Sequence, residues 1–398
     1  MLKCIYFKDT QKAPDKTKTN KSKTTKAKRE SMPKNPAINP QASQSAHHAS
    51  STQANRAPNP PINQVALIIR PDSPQLKDDC LQVIEIFTRH GIGVCMEEAG
   101  AAMLGAPELA LPLPEILARA QAMVSLGGDG TLISAVHKSL GSALPVLGIN
   151  MGRLGFLTAI KPSELEDFIP LLLSGEYSLD KHQMLEVELC AGAALDEAES
   201  KNADSKKMDS AKMDSAVLES SLVESGGCVP TKELHTKKLC AQKSHTQKLR
   251  TQKFYVLNEV LITKKDISGM VKIYAKVDDE ALNAYYADGL IIATPTGSSA
   301  YNISAGGSVV HPACRVMLLT PVCAHSLTQR PMVISDDFVL RFEVDEDAMI
   351  MLDGQERVEF GKNDVLVVRK GRGVNLIQHP KRSYFAVMKE KFSWGGAK

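Results

Sequence analysis

No apolar run in the 398-residue chain approaches the ~20 residues that cross a bilayer, so no membrane partner is expected. The first residues, MLKCIYFKDTQK, carry no secretory apolar core with a cleavage site, which argues against export and for a cytoplasmic protein. Eight cysteines stand at 4, 80, 95, 190, 228, 240, 314 and 323 without a CxxC pair. Neither a disulfide framework nor a zinc site is built that way, and reduced thiols fit a cytosolic chain. HExxH and similar metal spacings are missing, and solvation accounts for His47 and His48 in their polar stretch. Aromatics are scarce, at 5%. Only Tyr6 and Phe7 accompany the N-terminal lysines, so no specific nucleic-acid partner is expected.

The net charge of +3 hides an asymmetry: residues 1–62 hold twelve Lys/Arg against three Asp/Glu, a local +9 that leaves the rest at −6. Residues 8–63 are rich in Lys, Thr, Ser, Asn and Pro, too poor in apolar groups to offset their ordering entropy. A disordered basic tail over 1–62 is therefore expected. Order begins at VALIIR, residues 65–70, followed by a helix with Leu76, Cys80, Val83, Ile84 and Phe87 on one face. AQAMVSL, LISAVHKSL and LPVLGIN continue the alternation of strand and helix, which implies a parallel sheet covered by helices. After about residue 175 the texture changes to short, closely spaced strands, among them LEVELC, FYVLNEVLITK, MVKIYAKVDD and GLIIATP. That pattern reads as an antiparallel β domain. A low-complexity insert with a tandem KMDSA interrupts it at about 192–252, and YFAVMKEKFSW reads as a closing helix.

Three motifs carry chemistry. In VSLGGDGTLISA an apolar strand enters a turn of Gly127, Gly128 and Gly130 around Asp129. This is either a strand-to-helix turn capped by Asp129, or a phosphate loop whose bare amides and helix start attract an anion. DGLIIATPTGSSAYNISAGG, residues 288–307, crowds small hydrogen-bonding groups beside glycines and Tyr301. A polar turn needs fewer of them; a nucleotide site, where sugar and phosphate approach closely, needs that many. LNEVLI sets Asn258 and Glu259 inside an apolar strand, where they form either a buried network or a grip on vicinal hydroxyls.

In this order the motifs resemble those of the NAD kinase family. The family's GGDGT is matched by Gly127–Thr131, its NE pair by Asn258 and Glu259, and its TPTGSTAY by Thr294–Tyr301. GINMGRLGFL, AHSLTQRPMVIS, LDGQE and the segment HPKRSYFAVMKEKFSWGG add supporting matches, so the resemblance covers about residues 64–190 and 254–396. It implies an α/β plus β fold: a Rossmann-like α/β domain over 63–175, a β-rich, sandwich-like domain over 176–375, and a segment 376–398 returning to the first. It also implies a homodimer or homotetramer, NAD and ATP (or polyphosphate) as substrates, and Mg²⁺ or another divalent ion, whose protein ligands stay open. By the same resemblance Asp129 is the general base. Gly127, Gly128, Gly130 and Thr131 form the phosphate loop, Asn258 and Glu259 hold the ribose, and Asp288 lies at the nicotinamide end. Thr296 and Ser299, Ala300, Tyr301, Asn302, Ile303 and Ser304 line the adenosine region, with Gln355 nearby. Ser299 stands where the family usually has threonine, and Tyr286 where a basic residue is common. A diacylglycerol-type lipid kinase would share GGDGT alone, and a non-catalytic nucleotide sensor would bind NAD without turnover.

Overall fold

A computed structural model describes residues 58–70, 72–152, 155–192, 251–266 and 269–394. The expected basic tail, up to residue 57, and the interior of the expected insert lie outside the described residues. Residues 58–62, assigned to the tail from composition, are built into the fold. Asn59 bonds through its amide and side chain to the carbonyls of Gly175 and Tyr177, and Ile62 is buried.

The first half is an open parallel sheet in the order β2-β1-β3-β4, with β1 Gln64–Ile68, β2 Gly93–Met96, β3 Ala122–Gly127 and β4 Val146–Asn150. Alternation along each strand sends Val65 and Leu67 to one face and Ala66 and Ile68 to the other, and both faces are covered. On the first lie α1 (Lys77–Arg89), through Cys80, Val83, Ile86 and Phe87, and α5 (Leu165–Ser174), through Phe168 and Leu172. The second is covered by α3 (Leu113–Arg119) and α4 (Asp129–Ser139), whose Leu132, Ile133 and Val136 are buried. A short α2 (Glu98–Leu104) follows β2. In α1 it is Ile86 that is buried, while Ile84 is only half-buried.

Two long strands carry this sheet into the second half. Strand β5 (Ser178–Cys190) pairs antiparallel with β16 (Val365–Gln378) from end to end, with a register shift between Lys370 and Gly373. The late part of β16 also pairs with β4 through Leu376 and Ile377, and its early part pairs with β13 (Leu340–Val344). Strand β6 (Thr251–Val256) lies on β5, and β8 (Val271–Val277) and β9 (Glu280–Ala287) continue beyond β13. A second sheet runs β12-β11-β10-β7-β14-β15, with β7 Glu259–Lys264, β10 Gly289–Ala293, β11 Val316–Val322, β12 Met332–Ser335, β14 Ala348–Leu352 and β15 Glu356–Phe360. The layers meet in one core: Val187, Ile273, Phe342 and Leu366 from the first sheet, Val260, Ile292, Leu319 and Ile350 from the second. This is the expected sandwich-like half. The helix Tyr384–Phe392 closes the chain.

Candidate active site

The GGDGT turn joins β3 to α4 beside β1, where the strand order reverses; in open α/β sheets ligands bind at the carboxyl ends of strands at such a point. Its glycines do different work. A Cβ on Gly127 would collide with the Thr131 side chain, so the packing of α4 by itself requires glycine there. Around Gly128 nothing lies within 4 Å, and a Cβ on Gly130 would sit 2.7 Å from Arg70 Nη2. Asp129 does not cap the helix, contrary to one of the two sequence readings: it is the first helical residue, the cap position is Gly128, and no side chain caps the first turn. That leaves the helix start open to an anion. The Asp129 carboxylate instead reaches the loop after β4, where Phe156 N donates to Oδ2 at 2.8 Å, and Leu157 N and Thr158 N donate to Oδ1 at 3.2 and 3.3 Å. Gly155 allows this approach, because a Cβ there would collide with the same carboxylate.

Asn258 and Glu259 do not lie inside one strand, as their apolar flanks suggested. They sit at the break where the chain leaves β6 in one sheet and enters β7 in the other. The amides freed by that break are taken by Asp353, whose side chain is fully buried. Leu257 N donates to Oδ2, Asn258 N and Glu259 N to Oδ1, at 2.7–3.1 Å. Asp353 Oδ2 also lies 2.8 Å from His137 Nε2 on α4. One carboxylate thus ties the NE segment to the helix that begins at Asp129. Asp353 has a φ of 50° in the turn between β14 and β15, and from that turn Gln355 Nε2 donates to Gly130 O at 2.9 Å. Glu259 is buried, and its Oε2 has no hydrogen-bond partner among the described residues. Burial, reinforced by the Asp353 charge, raises its carboxyl pKa from 4.5 to about 8.

The loop after β10 docks on the same segment. Thr294 N donates to Asn258 O, Thr294 Oγ1 donates to Leu257 O, and a Cβ on Gly297 would collide with the Asn258 carbonyl. Thr296 is buried against His182 of β5, Oγ1 to Nδ1 2.8 Å. Ser299 and Ala300 are half-buried nearby. Asn302 is internal: its amide donates to Ser298 O and Ser308 O, and its carbonyl accepts from Thr320 Oγ1. Ile303 is half-buried, while Tyr301 and Ser304 are exposed. Asp288 lies at the other end of β10, roughly 17 Å of strand from this loop. Its carboxylate is paired with Lys264 at 2.8 Å, so a basic partner reaches it from β7 although position 286 holds tyrosine.

Two cavities flank the Asp129 turn. A crevice of about 1080 Å³ at the ends of β1 and β2 is lined by Arg70, Gly130, Thr131, Lys138 and Gln355. A smaller one of about 320 Å³ is lined by Phe156, Leu157, His182, Thr296, Ser299 and Arg382. Sequence reasoning missed Arg70, His137, His182 and Asp353. Only Asp353 carried a signal, as the Asp-Gly of a hairpin turn. No group of three or more His, Cys, Asp or Glu that could hold a metal occurs among the described residues.

Residues 65–177 match the family model of the ATP-NAD kinase N-terminal domain and 257–378 that of the ATP-NAD kinase C-terminal domain. The chain is 38% identical to an NAD kinase of Wolinella succinogenes over 84% of its length and 97% of the relative's. It is 40% identical to one of Helicobacter hepaticus over 85% and 98%. In fold it resembles yeast NADH kinase complexed with NADH (TM-score 0.64, 21% identity, 85% of this chain and 90% of that one). A further solved structure, an NAD kinase from Archaeoglobus fulgidus in complex with ATP, gives a TM-score of 0.57 at 20% identity, over 83% and 100%. Matches over both halves leave the lipid-kinase reading without support, and the chain belongs to the NAD kinase family of phosphotransferases.

Proposed function

We propose that this protein transfers a phosphoryl group from ATP to the 2′-hydroxyl of the adenosine ribose of NAD, giving NADP, with polyphosphate as a second possible donor. The observation carrying this reading is the position of the GGDGT turn between two cavities. Gly130 and Thr131 line the larger crevice, and the Asp129 carboxylate grips the backbone of Phe156 and Leu157, which line the smaller. The donor's phosphates lie in the larger crevice, against the open first turn of α4 and the Arg70 guanidinium, and the adenosine lies in the smaller.

Asp129 acts as the general base. A carboxylate offers about four acceptor positions, and the three amides take three, leaving one on Oδ2 for a substrate hydroxyl. The amides fix its direction, which is the positioning that phosphoryl transfer depends on. Glu259, protonated below about pH 8, can donate and accept at once, which suits a pair of ribose hydroxyls beside Asn258. The donor set fits Mg²⁺, which binds through one or two carboxylates plus substrate phosphates rather than in an all-protein cage. The ion would be held chiefly by the donor's phosphates, whose charge it would neutralise, because the acceptor position left on Asp129 is taken by the hydroxyl.

An NADP-formation assay with ATP or polyphosphate as donor, and NAD or NADH as acceptor, tests the reading. NADP should form from NAD and ATP and stop in EDTA. Tight NAD binding with no NADP from any donor would instead favour a nucleotide sensor. We further propose a homo-oligomer formed through the β-rich half, supported by exposed Tyr286, Leu327, Val333 and Phe338. We also propose a cytoplasmic setting, supported by the scatter of the eight cysteines without a CxxC pair.

A further inference from the structure

Resting on the adenosine placement above, we infer that His182 is a substrate-contacting residue that hydrogen-bonds the purine of the acceptor nucleotide. The ring stands on β5, where it pairs in register with Val374 of β16, and it is only 6% exposed. Nδ1 is committed to Thr296 Oγ1 at 2.8 Å, and Thr296 is itself only 4% exposed. Nε2 has no hydrogen-bond partner among the described residues, and the ring forms part of the wall of the smaller cavity. Burial lowers the ring's pKa to about 4, with the His311 charge adding to the effect, so it is neutral at physiological pH.

A neutral imidazole has one donor and one acceptor nitrogen, and the bond to Thr296 fixes the ring's orientation. That leaves the second nitrogen for a ligand of the cavity, whose wall also holds the Thr296 and Ser299 hydroxyls, the Phe156 ring and the charged Asp180, Lys181 and Arg382. A volume of about 320 Å³ is of the size that small ligands fill, and a purine offers ring-nitrogen acceptors and an exocyclic donor within one flat edge. His182 itself brings no charge to the base, so this contact reads hydrogen-bond pattern and shape rather than phosphate.

The test uses the full chain and needs no turnover. With ¹⁵N-labelled histidine, titration with 5′-AMP should shift the His182 Nε2 resonance, whereas nicotinamide mononucleotide should leave it in place. An unmoved resonance at saturating AMP, or an equal shift with nicotinamide mononucleotide, would overturn the assignment even if the protein makes NADP. In the activity assay, His182→Phe keeps a flat ring and removes both nitrogens. KM for NAD should rise about three- to tenfold, the size of one neutral hydrogen bond, with KM for ATP and kcat within about twofold. His182→Gln, which retains a donor and an acceptor, should recover part of that loss and serves if the Phe variant does not fold. Equal changes in KM for NAD and ATP would mark His182 as merely structural.

Discussion

The Asp129 carboxylate serves two ends at once, because the oxygens proposed to take a proton also anchor the loop at Phe156–Thr158. Asp129→Asn should therefore lower kcat by at least roughly a hundredfold, the usual range for a lost general base. It should also lower Tm by a few degrees, since one amide of the new side chain must face backbone N–H groups. Steady-state kinetics and a thermal melt on one sample separate the effects. Glu259 gives the opposite kind of test. Its pKa is raised from 4.5 to about 8, so its contribution to stability is complete below pH 4.5 and is lost as pH rises through about 8, where a buried charge must sit beside Asp353. Glu259→Gln removes that titration, so the Tm of the variant relative to the native protein should climb from pH 5 to pH 9 in a calorimetric series. A constant difference would mean that Glu259 stays charged throughout. Asp353→Ala would leave three amides and His137 without their acceptor, and should cost on the order of 3–5 kcal/mol in a denaturant melt.

Among the elements, those defined by local pattern were the legible ones. The parallel strands, α1 and the strand–turn–helix of GGDGT follow from apolar periodicity and glycine position, and the structure has them where the pattern puts them. The break between β6 and β7 is different. VLNEVLI is apolar on both sides of Asn258–Glu259, so nothing nearby says that the chain changes sheets there. The partner that makes the break affordable, Asp353, is about 95 residues away. His137 and His182 were silent for the same reason, each acquiring meaning only from a residue on another element. Two glycines turn this contrast into an experiment. Gly297→Ala drives a methyl into the Asn258 carbonyl and should lower Tm sharply or abolish soluble protein. Gly128→Ala meets nothing within 4 Å, at a φ of −94°, so Tm should stay within about 2 °C while kcat/KM for ATP falls. A Gly128→Ala variant with native kinetics would show that no phosphate comes close to that face of the turn.

For the molecule as a whole, Cys190 and Thr251 stand opposite each other in the β5–β6 ladder, so the ends of the intervening segment already meet. Replacing residues 193–250 with a short hairpin turn, together with removal of residues 1–56, should leave Tm within about 2 °C and activity within about twofold, because loop length enters stability only logarithmically. Loss of most activity in that variant would assign the removed segments a part in function. The pairing of β16 with β4 has a consequence of another kind, in the order of synthesis. Val146 leaves the ribosome about 230 residues before its partner Leu376. At roughly 5–20 residues per second, the nascent α/β half waits about ten to fifty seconds with Val146 and Leu147 of β4 unpaired on that side, while Gly148–Asn150 already pair with Ala159 and Ile160. During that interval this short open stretch is a template for another strand. The chain is thus most exposed to aggregation, and most dependent on chaperones, while it is being made, and a ribosome stalled anywhere before residue 376 leaves its first sheet unfinished.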